Sequence, residues 1–320
     1  MMPYQERLLA IEHYLSVRKY PAEPQQLFEP IRYFMGLGGK RVRPLFTVLS
    51  AELFQQPVEE VLPAAAALEL FHNFTLIHDD IMDGAPMRRN LATVHEKWNT
   101  NVAILSGDAL MIRSFQELEY YDDKKYKSLN QLLQKTALEV CMGQQLDMDF
   151  ETKEAVSEDE YLEMIRLKTS VLLGCACAFG GIIGDTTKEN VEHLYGFGEQ
   201  LGIAFQIQDD ILDAFGETAA VGKQIGGDIL SDKKTILYTA FQSRANALQK
   251  KQFSAYLSAE GQEKIEGIKS LFVATDVVTY CKEIQEKHIF SSKAHLEAVS
   301  TNANKAALSD ILEFIIHRNH

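Results

Sequence analysis

Two stretches of this 320-residue chain are apolar on almost every helical face and then end in aspartate. One runs from Leu62 through Leu70, Phe71, Phe74 and Ile77 into Asp79, Asp80 and Asp83. The other runs from Val191 through Leu201, Ile203, Phe205 and Ile207 into Asp209, Asp210 and Asp213. A helix without a polar face belongs in the middle of a bundle. Carboxylates clustered at a buried end are costly unless positive charge meets them. The two segments therefore require helices packed around them and cations at their tips. Elsewhere apolar residues recur at three- and four-residue spacing, and alternation with period two is scarce. This pattern predicts an all-α fold, a helical bundle of roughly ten helices. The expected breaks fall at 21–24, 36–39, 122–127, 152–158, 184–190, 216–235 and 258–262. None is long enough for a linker, so residues 1–320 are expected to form a single domain.

Composition narrows the function. Asp and Glu number 45 against 32 Lys and Arg, a formal charge of −13, so no nucleic-acid partner is expected. The longest nearly apolar run, Val171 to Ile183, falls short of the roughly 20 residues that span a bilayer, which predicts no stable membrane anchor. The amino terminus lacks the basic-then-apolar layout of a signal peptide, so a cytoplasmic location is expected. Cys141, Cys175, Cys177 and Cys281 form no CxxC pair and read as reduced, mostly buried residues.

The aspartates carry the chemistry. Asp79 and Asp83, like Asp209 and Asp213, are four residues apart and share a helix face about one turn from each other. Such pairs repel unless they are solvated or bridge cations. With 17 Asp in the chain, chance supplies about 0.05 copies of DDxxD, and there are two. Hard carboxylate oxygens in this pattern suit Mg²⁺, which shares its remaining positions with water and phosphate oxygens. A magnesium diphosphate site is the resulting expectation. Protein cations flank both tips. Lys40, Arg41 and Arg43 follow the Gly38–Gly39 turn, Arg88 and Arg89 follow Asp83, and Lys223, Lys233 and Lys234 follow Asp213. His78 is expected to be structural.

These residues together resemble the polyprenyl synthetase family, the head-to-tail isoprenyl diphosphate synthases. The resemblance covers most of the chain. It includes Gly39, Lys40 and Arg43, then His72, Asp79 to Asp83, and Arg88 with Arg89. It continues through Gly143, Gln144 and Asp147, Lys168 with Thr169, Gln206 to Asp213, and Gly222, Lys223, Gly226, Asp228, Lys233 and Thr235. One departure is Asn90, where the family usually has glycine, which bears on the conformation of that turn. The resemblance implies a single bundle around a deep central cavity, of isoprenoid synthase type and commonly homodimeric. It implies that Lys40, Arg43, His72 and Arg89 hold the diphosphate of isopentenyl diphosphate. Asp79, Asp83 and Asp209 would bind three Mg²⁺ on the allylic diphosphate (dimethylallyl, geranyl or farnesyl), supported by Asp80, Asp210 and Asp213. Arg88, Lys168, Lys223 and Lys233 would contact the same group. Charge neutralisation lets the allylic C–O bond ionise, the alkene attacks, and a proton is lost. Thr169, Gln206 and the Lys168 carbonyl would stabilise the cation as dipoles.

Product length is expected to be set below the first aspartates. Phe74 lies about 7.5 Å along the helix from Asp79 and Phe71 a turn deeper. With Thr75 small beside Phe74, the resemblance implies a short-chain enzyme stopping near C20, or at C15 if Phe71 closes the floor. The rival readings are a class I terpene cyclase, which generally has a different second metal motif, and a non-catalytic subunit of a heteromeric synthase, which typically loses aspartates or the arginine pair.

Overall fold

The structure, a computed structural model, describes residues 4–216 and 226–316, of Ile315 only the backbone. It is helical almost throughout. In chain order the helices are α1 (Gln5–Ser16), α2 (Gln25–Gly36), α3 (Val42–Glu52), α4 (Val58–Met82), α5 (Val94–Lys97), α6 (Thr100–Glu117), α7 (Asp123–Thr152), α8 (Glu158–Ile165), α9 (Val171–Ile183), α10 (Lys188–Phe215), α11 (Gly227–Leu230), α12 (Ile236–Arg244), α13 (Ala247–Leu257), α14 (Gly261–Ala274), α15 (Val277–Ala298) and α16 (Ala306–Ile316). Among the described residues the strands are β1 (Met87–Arg88) and β2 (Leu91–Ala92), one antiparallel pair.

Sixteen helices among the described residues exceed the ten expected, because several junctions are only two residues long and contain no proline. At Asn246 a reciprocal cap replaces a loop: its side chain accepts from the Gln249 amide at 3.0 Å, and the Gln249 side chain accepts from the Asn246 amide at 2.9 Å. Thr235 starts α12 with a one-way cap, its hydroxyl accepting from the Tyr238 amide.

The chain divides into two compact units, each assembled from three stretches: 1–133, 176–191 and 301–307, and then 134–175, 192–300 and 308–320. In the first, α4 is the central helix, packed on α1, α3 and α6. Ala64, Ala65, Ala66 and Ala67 are fully buried, and their small side chains let neighbours approach while Leu68, Phe71 and Ile77 fill the space between. In the second, Ile203, Ile207 and Ile211 of α10 enter a core with Phe241, Phe253 and Phe272. The rings of Phe241 and Phe253 stack at 4.8 Å.

Helices α8 and α9 join through a π-helical turn, Arg166–Ser170, in which the Ser170 hydroxyl donates to the Ile165 carbonyl. The run Glu158–Ile183 is therefore 26 residues long and contains an 18-residue stretch of mean hydropathy 1.4, enough by length and composition to cross a membrane. The expected thirteen-residue limit was too short because the π turn does not interrupt the helix. Some 78% of the apolar stretch is buried inside the protein, which marks it as a core helix. Cys175, Cys177 and Cys281 are buried and Cys141 is exposed, all four as free thiols.

Candidate active site

In the first unit α4 delivers Asp79 and Asp80 on its last turn and Asp83 at its C-cap, with no basic residue in that turn. Carboxylates here oppose the helix dipole, at about 0.3–1 kcal/mol each. Asp80 is answered within the protein. It is buried, and Arg88 donates through Nε to both oxygens at 2.9 Å and reaches Oδ1 from Nη2 at 2.8 Å. Asp83 is exposed and Asp79 half-buried.

Four arginines gather along α4 between Glu69 and this tip and differ in kind. Arg41 is buried and structural: it donates to Glu12 at 2.8 Å and pairs with the buried Glu69. Burial alone would lower its pKa, and the two glutamates hold it above the usual value instead. Arg43 is answered less well, by the charge of Glu69 without a hydrogen bond to it, and burial outweighs that charge. Burial lowers its pKa, its Nη1 donates to His72 Nε2 at 3.0 Å, and its buried Nε has no acceptor. His72 is held well below the ordinary histidine range by burial and by Arg43, Arg88, Arg89 and Arg41, so it is neutral. Burial and Arg41 likewise lower Arg89. An orphaned guanidinium nitrogen among cations is the signature of a site built for an anion.

Arg89 and Asn90 form the two-residue loop between β1 and β2, with φ of 53° and 64°. Positive φ at both positions is the type I′ hairpin turn, in which Asn is readily accepted. The departure at Asn90 therefore leaves the turn intact. His78 donates from Nε2 to the Ile104 carbonyl, 3.1 Å away, and meets Phe74 edge to face. Phe71 and Phe74 are buried and meet edge to face at 5.4 Å. The Thr75 hydroxyl donates to the His72 carbonyl.

In the second unit α10 carries Asp209, exposed, Asp210, buried, and Asp213, half-buried. Asp210 accepts from the Tyr161 hydroxyl, the Gln206 amide at 3.1 Å and the Ile236 backbone at 3.1 Å. Burial raises its pKa to about 7, against the opposing Tyr161 bond and with the nearby Asp228 adding to the rise. Its oxygens are committed, so it orients its neighbours. Asp213 accepts from the Asp228 amide at 3.0 Å. Lys168 in the π turn reaches Asp147 at 2.5 Å, and Thr169 donates to Gln206 Oε1 at 3.3 Å. Gly143 permits that turn, since a Cβ there would lie 2.2 Å from the Lys168 nitrogen. Lys233 lies 3.8 Å from Asp228 and lines a cleft with Asp213 and Thr235. Gly222 and Lys223 lie outside the described residues.

Sequence reasoning missed Tyr161, Glu69 and Glu12, whose partners are 28 to 49 residues away. Nothing local marks them. Among the described residues no three His, Cys, Asp or Glu side chains form a metal cage. A cation held by these aspartates therefore completes its shell with water and ligand oxygens. Mg²⁺ does this by preference, so the all-oxygen donor set fits it.

Comparison with known proteins gives a consistent result. The model of the polyprenyl synthetase family matches residues 24–275, a span that runs through both units. The chain is 36% identical over 315 residues to a geranylgeranyl diphosphate synthase of Methanosarcina mazei, covering 97% of this chain and 94% of that protein. It is 36% identical to a short chain isoprenyl diphosphate synthase of Methanocaldococcus jannaschii, covering 95% and 92%. Among solved structures it resembles a geranylgeranyl pyrophosphate synthase with a TM-score of 0.93 at 38% identity, covering 100% and 99%.

Proposed function

The chain belongs to the polyprenyl synthetase family and is a prenyltransferase, and from that premise we propose that it joins isopentenyl diphosphate head-to-tail to an allylic diphosphate and stops at C20, with C15 the next product. The observation that carries this reading is the unanswered Arg43 Nε within the arginine cluster beside Asp79 to Asp83. Glu12 and Glu69 answer Arg41 and Asp80 answers Arg88, but a fold gains nothing from an Arg43 Nε buried beside them without an acceptor unless an anion enters.

Lys40, Arg43, His72 and Arg89 take the diphosphate of isopentenyl diphosphate. Because His72 is neutral and its Nε2 is engaged by Arg43, it contributes an N–H donor and no charge. Arg88, Lys168, Lys223 and Lys233 take the allylic diphosphate. Asp79, Asp83 and Asp209 would hold three Mg²⁺, with Asp80, Asp210 and Asp213 orienting the set. When bound, magnesium supplies the positive charge that turns carboxylate clusters into diphosphate sites and stabilises the departing diphosphate. The Thr169 hydroxyl is held on Gln206, so their oxygens and the Lys168 carbonyl present fixed dipoles to a developing allylic cation without capturing it. The alkene then attacks, and the proton leaves with the released diphosphate. Phe74 and Phe71 floor the space for the growing chain, and Thr75 leaves room beside them.

A homodimer is part of the proposal: α6 exposes Ile104, Leu105 and Ile112, a stripe that a second copy would cover. So is a cytoplasmic location. The test is incubation of purified chain with Mg²⁺, isopentenyl diphosphate and dimethylallyl, geranyl or farnesyl diphosphate in turn, sizing the products after dephosphorylation. C20 alcohol from each primer is expected. Absence of turnover with every primer would favour a non-catalytic subunit.

A further inference from the structure

We infer that Tyr33 is a positioning residue, whose hydroxyl clamps the β1–β2 hairpin so that Arg88 and Arg89 stay divided between two diphosphate subsites. The inference rests on the reading of the function given above.

Arg88 and Arg89 are adjacent, yet they go to different places. Arg88 turns to Asp80. The guanidinium of Arg89 lies over Gly39, where a Cβ would come within 3.2 Å of both its terminal nitrogens. A single tight turn thus serves the allylic side with one arginine and the isopentenyl side with the next. Two residues per strand make a ladder too short to stand alone. Its base is closed locally, by the Thr93 hydroxyl donating to the Ala85 carbonyl at 2.8 Å and the Thr93 amide to the Pro86 carbonyl. Those bonds fix the base of the hairpin without fixing its distance from the Gly39 loop.

Tyr33 supplies that distance. It sits on α2, which runs directly into the Gly38–Gly39–Lys40 loop, and its hydroxyl donates to the Ala92 carbonyl at 2.7 Å. Its ring is held in turn by the edge of Trp98 at 5.3 Å and by the Lys97 ammonium 3.8 Å above the face. One helix therefore sets both the loop under Arg89 and the strand behind it. Without the hydroxyl the hairpin loses its tie to α2, and Arg89 loses its register on Gly39. Binding then weakens while the reacting groups are untouched.

Tyr33→Phe keeps the ring and its cation–π contact. We expect KM for isopentenyl diphosphate to rise about five- to tenfold, with kcat at saturation within about twofold of wild type and little change in Tm. Asn90→Val places a β-branched residue at positive φ and unseats the same hairpin from its tip. The double variant should therefore be no worse than about twofold beyond the weaker single. Inorganic pyrophosphate titrated calorimetrically without Mg²⁺, so that the carboxylate-held subsite repels it and the arginine subsite binds it, reads the same loss without turnover. An unchanged KM and pyrophosphate affinity in Tyr33→Phe, or losses that multiply in the double variant, would overturn the inference. A wild-type chain that binds pyrophosphate but makes no product would instead refute the functional reading, and the titration would still judge the clamp.

Discussion

Arg41 and Arg43 are two residues apart, and removing them should move stability in different directions. The Arg41 and Glu69 side chains are 2% and 4% exposed and pair with each other. Among the described residues, Arg41→Met leaves Glu69 with the Asn73 amide, 3.2 Å away, as its side-chain hydrogen-bond donor, and with the more distant charges of Arg43 and Arg89. Breaking a buried pair in this way costs about 3–5 kcal/mol. That is a large part of the 5–15 kcal/mol, roughly, that a domain possesses. Arg43→Met has the opposite balance. It forfeits one bond to His72, worth about 1 kcal/mol, and it removes a desolvated cation whose Nε has no acceptor. Its stability should stay within about 1 kcal/mol of wild type or exceed it. Activity reverses the order: Arg43→Met loses charged contacts to diphosphate and should raise KM for isopentenyl diphosphate about ten- to a hundredfold. Urea unfolding of the ligand-free protein, read by circular dichroism, measures the first effect, and initial rates measure the second. Equal destabilisation by the two variants would refute the division into a structural and a functional arginine.

Two further outcomes are expected. His72 is held well below its ordinary pKa, so below about pH 6.5 the unfolded chain binds a proton that the native state refuses. Its contribution to stability is full above that pH and falls by up to about 1.4 kcal/mol per pH unit beneath it. Wild type minus His72→Asn stability should follow that slope, and a difference independent of pH between 7.5 and 5 would contradict it. Phe74→Ala should lengthen the product and Phe71→Ala extend it further, the latter at about 3–5 kcal/mol of stability because Phe71 is fully buried. Unchanged product length in both variants would remove the floor.

The two apolar helices and their acidic tips were legible because the signals are local. Periodicity placed α4 and α10, and DDxxD spacing placed their carboxylates on single faces. The roles within the basic elements were not legible. Arg41 and Arg43 look alike in Gly39–Pro44, and only Glu12 and Glu69, brought in by folding, separate them. Asp209 and Asp210 look equally available, yet Tyr161 and the Ile236 amide withdraw Asp210 from solvent. The π turn at Lys168 packs its backbone on Gly143, twenty-five positions earlier, and leaves no mark in hydropathy. At Asn90 the sequence showed a departure whose harmlessness follows from a backbone angle.

The central claim is that both carboxylate clusters act with magnesium in the same chemical step. Single-turnover rates of Asp79→Asn, Asp209→Asn and the double variant, each at saturating Mg²⁺, test it most directly. The account predicts a loss of about a hundredfold or more for each single change and a double variant little worse than either, since parts of one unit fail together. Full speed in either single variant, or two losses that simply multiply, would contradict it.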